Sequence, residues 1–457
     1  MPFLINRLFM LSSFPFNLNF DDSNDSGFGD QLVVILDRAA VEIIHNSFVF
    51  GSTKSAITQI IVIIGIEKKP LLGMRILILG NMANDGYAVA KELRKMNENV
   101  DLAINVSDFG MALPAWEDAN LSTGTNPYSI DGNALMKSWN RPPWIRYFDF
   151  MNKVPKRSQM IAKIKSRIDL IKMIREYDIV EAHVPYAIYS QFSGVPYIAY
   201  DAGWIRYFPY SMKIRDKLAR RGYSKAKRII ITNPDTFEIS DSLPYLNKEK
   251  IFFSPFAIDP DKYQPLDSTE LRSKYATQNE ILLFSPARQS WKEKGNDKMI
   301  RAFAKFSRMV PDSKFIMVEW SEDEHNSKAL VHSLGISEKI IWIKPVPKNQ
   351  LIQYYNAADV VLDQFVLGSW GTSTPEAMAC GKPVLMFYKK DYILRAFGEE
   401  PPILNSFTDD DIYSNLMRLR DHEFAADMGR ESREWIIKTH SSRVVALRHL
   451  EILQKAG

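Results

Sequence analysis

The chain has 457 residues, 46% of them hydrophobic and 25% charged, an ordinary globular composition with room for two or three domains. A net charge of +4 is too small to argue for nucleic acid. The single cysteine, Cys380, excludes pairing within the chain and a cysteine zinc site, and it points to a reducing compartment.

In chain order, residues 1–73 mix an acidic Asn/Ser/Asp/Gly-rich stretch, Asn17 to Asp30, with two apolar segments. They read as an N-terminal extension of unknown role, or as read-through ahead of a start at Met74. The opening MPFLINRLFML lacks a basic leader, so no signal peptide is expected. No run reaches about 18 uninterrupted apolar residues, so no membrane-spanning helix is expected either. From Met74 onward, short β-branched runs alternate with helical patterns, the signature of parallel sheets built from βαβ units. Predicted strands are Arg75–Leu79, Ile179–Ala182, Tyr197–Tyr200 and Arg228–Thr232, then Ile281–Ser285, Lys314–Val318, Ile340–Ile343, Val360–Leu362 and Val384–Phe387. A proline-rich break, Ser254 to Pro265, separates the two series.

Two basic stretches fall in the first series, Lys153 to Arg175 and Lys213 to Arg228. In the first, Ile161, Ile164, Ile168 and Ile171 form a helical stripe, expected to face the core. The sharper alternative is docking on an anionic membrane. Trp139 to Tyr147 reads as an aromatic loop whose Trp144 can stack on an acceptor sugar or dip into an interface. Asp259-Pro-Asp261 has a chelating spacing but lies in the break, where Asp and Pro are expected anyway. Asp409-Asp-Asp411 reads as a helix start, and no metal constellation stands out.

The densest signal is Ala357 to Val384. A buried strand ends at Leu362, and a loop carries Gly368 and Gly371. Pro375 and Glu376 then open a short helix, which Gly381-Lys382-Pro383 stops. A glycine loop entering a helix offers free N–H groups and a positive dipole end, the local geometry of a phosphate or nucleotide site at the carboxyl end of a parallel strand.

From Ala358 through Val384 the segment resembles, without a gap, the donor-site motif of family 4 glycosyltransferases. That resemblance implies an α/β, GT-B fold, with two Rossmann-like parallel-sheet lobes facing a cleft and transfer mostly with retention. On this pattern residues 74–255 form an acceptor lobe and 256–435 a donor lobe, and 436–457 a last helix packing back on the first lobe. Ser254 to Pro265 is similar to the family's hinge. Ser285-Pro-Ala-Arg288 to Lys294-Gly295 is similar to its G-R-x-x-x-x-K-G element, with Ala287 for the glycine and one extra residue. The resemblance therefore gives Arg288 and Lys294 the donor diphosphate, with Lys292 the alternative to Lys294, because the charge on a departing nucleotide must be stabilised. It gives Glu376 the ribose hydroxyls, and the N–H groups of Gly371, Thr372, Ser373 and Thr374 the sugar-phosphate. Gly86, in the first strand-to-helix turn, is the family's ligand-loop glycine or a plain turn. Asp178 to His183 is similar to a strand end that puts His183 at the cleft edge, either orienting a hydroxyl or serving the structure. Ala202 stands where the family has a sugar-contacting histidine, a contact that the neighbouring Asp201 could supply instead, and Gly368 replaces the first of its paired glutamates.

The expected activity is transfer of a hexose-type sugar from a UDP- or GDP-sugar to a glycan or lipid-linked acceptor. The nucleotide-sugar is then a substrate, and neither metal nor cofactor is expected. The expected place is the cytoplasm, with or without peripheral contact with the inner face of the membrane. The alternatives are a catalytically inactive GT-B protein that binds sugar nucleotide or a partner enzyme, and a GT-B sugar-nucleotide epimerase.

Overall fold

The computed structural model describes residues 73–457 apart from 109, 120, 122–131, 151–159 and 208–210; the extension read over 1–73 thus lies outside the described residues but for Gly73. Two all-parallel sheets follow one another along the chain. The first has the order β3-β2-β1-β4-β5-β6-β7. Its strands are β1 Ile76–Leu79, β2 Val100–Asn105, β3 Ile145–Phe148, β4 Ile179–His183, β5 Tyr197–Asp201, β6 Arg228–Ile231 and β7 Ile251–Phe253. The second has the order β10-β9-β8-β11-β12-β13. Here the strands are β8 Ile281–Ser285, β9 Ser313–Val318, β10 Ile340–Ile343, β11 Val360–Leu362, β12 Val384–Met386 and β13 Leu404–Asn405. Central strands such as β1 and β4 are buried along their whole length, because helices cover both faces of a parallel sheet. That is why β1 reads as an unbroken apolar run, whereas β4 carries Glu181 and His183 buried within it.

Both sheets follow the predicted strands, and four more strands join them. β2 carries Asp101 and Asn105, whose polar side chains are satisfied locally: Tyr177 donates to Asp101 at 2.7 Å and Asn105 donates to Asp108 at 2.9 Å. β3 overlaps the end of the segment read as an aromatic loop and runs one residue past it. β7 and β13 have only three and two residues.

The isoleucine stripe corrects an expectation. In the helix Met160–Ile174, Ile161, Ile164 and Ile168 are 80%, 52% and 48% exposed. Only its C-terminal end, through Leu170 and Ile174, enters the core.

After β7 the chain crosses to the second lobe, and it returns after the helix α1, His422–His440. The two crossings are bonded side by side: Ile258 N–H donates to the His440 carbonyl and Ser442 N–H to the Ile258 carbonyl, each at 2.8 Å. The last helix, α2 (Ser442–Gln454), then places Val445, Ala446, Leu450 and Leu453 in the first lobe's core with Val89, Ala90 and Leu93. A fully buried leucine contributes roughly 1.5–3 kcal/mol, so this helix is part of the first lobe's core. His449 of α2 reaches further, to Glu181 of β4 (Nδ1···Oε2 3.0 Å), whose other oxygen is 2.9 Å from His183 Nε2.

Candidate functional site

β8 and β11 pair at the centre of the second sheet, so the loops at their carboxyl ends lie together. Lys294 ends a one-turn helix, Trp291–Lys294, which Gly295 terminates in the left-handed region (φ +69°). The Phe365 N–H donates to the Lys294 carbonyl at 2.9 Å, tying the two loops. Buried Asp363 completes the junction. Its Oδ1 is 3.9 Å from Lys294 Nζ, and its Oδ2 accepts from Thr374 Oγ1 at 2.8 Å. Asp363 was not among the residues singled out, although its place just after a buried strand was the available signal. Arg288 is paired with Glu293 and lies 3.6 Å from Glu322. Lys292 is exposed, so Lys294 is the lysine that faces the junction.

The helix Ser373–Ala379 begins at Thr372, whose side chain makes no capping bond. Its first turn is thus left uncapped. Gly371 is open on its Cβ side, with nothing within 4 Å. Thr372 and Ser373 are half-buried, Thr374 and Glu376 fully so. Glu376 is held by Lys348 Nζ on one oxygen and by the Tyr355 hydroxyl on the other, at 3.0 Å. Burial raises the Glu376 carboxyl above its ordinary value, and Lys348 counters this. Burial alone would lower the Lys348 ammonium, yet Glu376, Glu117 and Asp363 together hold it above the usual lysine range. No sequence spacing pointed to Lys348. Cys380, a turn beyond Glu376, is buried and its thiol is pushed up to about 12, first by burial and then by Glu376. It packs as a small apolar group.

The loop between β11 and this helix reaches the first lobe. Asn233 Nδ2 donates to the Trp370 carbonyl at 3.0 Å, and Ser369 donates to Asp235. Asp235 also accepts a two-pronged bond from Arg206 at 2.6 and 2.7 Å. Gly368 has φ +76°, and a Cβ there would lie 2.9 Å from Lys389 Cγ. A glutamate would be strained at this position whatever its function.

Several first-lobe candidates are spent on structure. His183 does not lie open at the cleft edge: it is fully buried, bonded to Glu181 and stacked on Tyr200 at 3.8 Å. Asp201 is likewise buried, accepting from the Gly203 N–H at 2.7 Å and the Tyr223 hydroxyl at 2.6 Å, so it anchors the loop that leads to Arg206. Trp144 stacks on Tyr87 at 5.8 Å, with Arg94 over its ring. Gly86 is buried where a Cβ would meet the Gly80 carbonyl at 2.5 Å and His183 Cε1 at 3.3 Å, so close packing demands it. Ala202 is half-buried against the first lobe's core.

Two parallel-sheet lobes, joined by a double crossing and carrying a basic loop and a glycine loop at the central strand ends, define the GT-B class. Residues 267–394, which hold Arg288, Lys294, Lys348 and Glu376, match the family model described as "Glycosyl transferases group 1". The match lies within the second lobe and covers the candidate site, and the fold of the whole described chain is of the GT-B class.

D-inositol 3-phosphate glycosyltransferase of Mycobacterium sp. (strain JLS) is 26% identical over 166 residues, 35% of this chain and 37% of that protein. Alpha-monoglucosyldiacylglycerol synthase of Acholeplasma laidlawii is 27% identical over 130 residues, 28% of this chain and 32% of that one. The chain thus spans about a third of the length of these curated relatives. Among solved structures, HepE of Anabaena in complex with UDP and glucose is similar in fold, with a TM-score of 0.62 and 16% identity, covering 83% of this chain and 99% of that one.

Proposed function

We propose that the protein is a glycosyltransferase that moves a hexose-type sugar from a nucleotide-sugar to a glycan or lipid-linked acceptor, with retention. The observation that carries this reading is the Asp363 junction. It sets the Lys294 ammonium, the uncapped first turn after Thr372 and the open Gly371 at the carboxyl ends of two adjacent strands. Arg288 and Lys294 would neutralise the departing diphosphate, Glu376 would accept from the ribose, and the N–H groups of Gly371, Thr372, Ser373 and Thr374 would face the sugar-phosphate. Gly86 would act through packing, by letting the first turn lie close to the strand. Closure of the lobes would exclude water and favour transfer over hydrolysis. The nucleotide-sugar is a substrate, and the chemistry asks for no resident cofactor. HepE was solved with UDP and with UDP-glucose, so UDP-sugars are the first donors to try and GDP-sugars the second. With Gly368 and Ala202 in place of the family's polar sugar contacts, the sugar is held by fewer charged groups.

The test is a thermal-shift and hydrolysis screen against a panel of nucleotide-sugars, with the Glu376→Ala/Arg288→Ala double variant as control. The expected result is stabilisation by one donor and slow nucleotide release, both lost in the control. Binding without turnover on any acceptor would assign the protein to catalytically inactive GT-B binders. Isomerisation of the donor without acceptor would make it an epimerase.

The exposed isoleucines favour an acceptor at a membrane surface. Ile161, Ile164 and Ile168 stand out from a helix that also carries Lys165, Arg167 and Lys172, and Met212 and Ile214 are exposed near Arg215 and Lys217. Apolar side chains ringed by cations suit an anionic interface, at about 1 kcal/mol per basic residue. No helix among the described residues is long and apolar enough to cross a membrane, so such contact would be peripheral. The protein should sediment with phosphatidylglycerol vesicles and not with phosphatidylcholine ones. Ile161→Asp/Ile164→Asp should weaken that binding about tenfold or more; equal sedimentation with both vesicle types would remove the membrane from the reading.

A further inference from the structure

A carboxylate shut away from water must be paired or protonated. Glu376 is 2% exposed, so its partner decides which form it takes. That partner is Lys348, at the start of the helix Lys348–Ala357, with Nζ on Glu376 and 3.4 Å from Thr372 Oγ1. Tyr355, two turns along the same helix, donates to the second carboxylate oxygen at 3.0 Å.

The pair is surrounded by ionisable groups from every side. Glu117 comes from the first-lobe helix Ala115–Asp118 and is paired with Lys262 at 2.7 Å; Asp118 is 3.9 Å from the same lysine. Tyr263 comes from the crossing, Asp363 from the end of β11 and Cys380 from the helix end of Glu376 itself. Glu117, Asp118 and Asp363 are carboxylates, while the buried Tyr263 hydroxyl and Cys380 thiol stay neutral, so apart from Lys262 the charged groups around Lys348 are negative. The two residues after it, Asn349 and Gln350, donate to the Ala119 and Leu121 carbonyls of the first lobe at 3.3 and 2.8 Å. The start of this helix is thereby fixed by both lobes.

We propose that Lys348 is a positioning residue for nucleotide recognition: it keeps the buried Glu376 an ionised acceptor and releases one carboxylate oxygen to the ribose diol as the donor binds. This rests on the reading of Glu376 as the nucleotide-holding group and deepens it. A ribose diol offers two hydroxyl donors, which only an ionised, acceptor-only carboxylate can take together. Without Lys348, burial and the neighbouring Glu117 would both drive Glu376 toward its protonated form, which carries a proton where an acceptor is needed. The ionised form binds, so affinity falls as pH falls.

The experiment measures UDP and GDP affinity by calorimetry on the full chain between about pH 5.5 and pH 8.5, for wild type, Lys348→Met, Lys348→Gln, Lys348→Arg and Glu376→Gln. The ligand-free melting temperature of each reports folding, and Lys348→Gln serves if Lys348→Met fails to fold. Removing the lysine should weaken nucleotide binding about tenfold near neutrality and move the midpoint of the affinity loss to higher pH, by about a unit for that tenfold change. Lys348→Arg should restore most of both, which a merely space-filling role would not do. A folded Lys348→Met or Lys348→Gln with the wild-type affinity and midpoint, beside a weakened Glu376→Gln, overturns the role of Lys348 alone. A Glu376→Gln variant that binds as wild type overturns the reading of Glu376 itself.

Discussion

Replacing Arg288 or Lys294 with alanine should lower the turnover of sugar transfer about 100- to 1,000-fold, equivalent to roughly 2.7–4 kcal/mol of transition-state stabilisation. Negative charge grows on the diphosphate as the glycosidic bond breaks, so cations aimed there act mainly in the transition state. The loss should therefore fall on kcat and kcat/KM alike, with KM little changed. The two variants should differ in stability. Arg288 is held by exposed or half-exposed Glu293 and Glu322, and a pair of that kind contributes at most about 1 kcal/mol. Lys294 faces buried Asp363, so Lys294→Ala leaves that carboxylate with the Thr374 hydroxyl and the charge of Lys348 and should melt lower. Steady-state kinetics with the donor found in the screen decides the matter: an unchanged kcat in both variants would remove these residues from the diphosphate.

Breaking the Glu181–His449 pair should cost roughly 3 kcal/mol of folding stability, because Glu181 would keep only its bond to His183 and His449 would lose its directly bonded counter-charge while both stay buried. Both side chains have no solvent exposure. Burial would raise the Glu181 carboxyl, but His449 and His183 together pull it far below its usual 4.5. A depressed carboxyl contributes stability that is present above about pH 4.5 and lost as pH falls. His449 is the opposite case. Burial would lower it, yet Glu181 and Asp85 hold it above its usual 6.5 despite the nearby Arg448. Its contribution is complete below about pH 6.5 and is lost as pH rises through the raised value. The wild-type protein should thus gain most from this pair between those limits. Urea titrations of wild type, Glu181→Gln and His449→Leu at about pH 5, 7 and 9 check this. Variants that unfold at the wild-type midpoint at all three values would show that the pair adds nothing.

The strands were legible because burial on both faces leaves nothing but apolar residues to read, as in Ile76–Leu79 and Val360–Leu362. β2 was obscured because Asp101 and Asn105 break the run, although their polar atoms are satisfied by Tyr177 and Asp108. The residues read as donor-side from Gly371 to Glu376 stood out because the glycine loop and the helix start lie within one short segment. Lys348 was not, since its contact with Glu376 arises only when two helix starts meet in space. His183 and Asp201 mark another limit. A strand-end position tells where a side chain begins and not whether it turns toward the cleft or into the core. The isoleucine stripe fails for a related reason: periodicity shows which residues share a face and is silent on what covers it.

The returning helix α2 has a consequence for how the molecule comes into being. Val445, Leu450 and Leu453 complete the apolar interior of the lobe that begins near Met74. That lobe is synthesised first, yet its interior can close only after residues more than 350 positions later have been made. Until then Val89, Leu93 and their neighbours have no cover on that side, and the nascent lobe carries the exposed apolar surface that chaperones bind. The first lobe thus closes only once the second has been made.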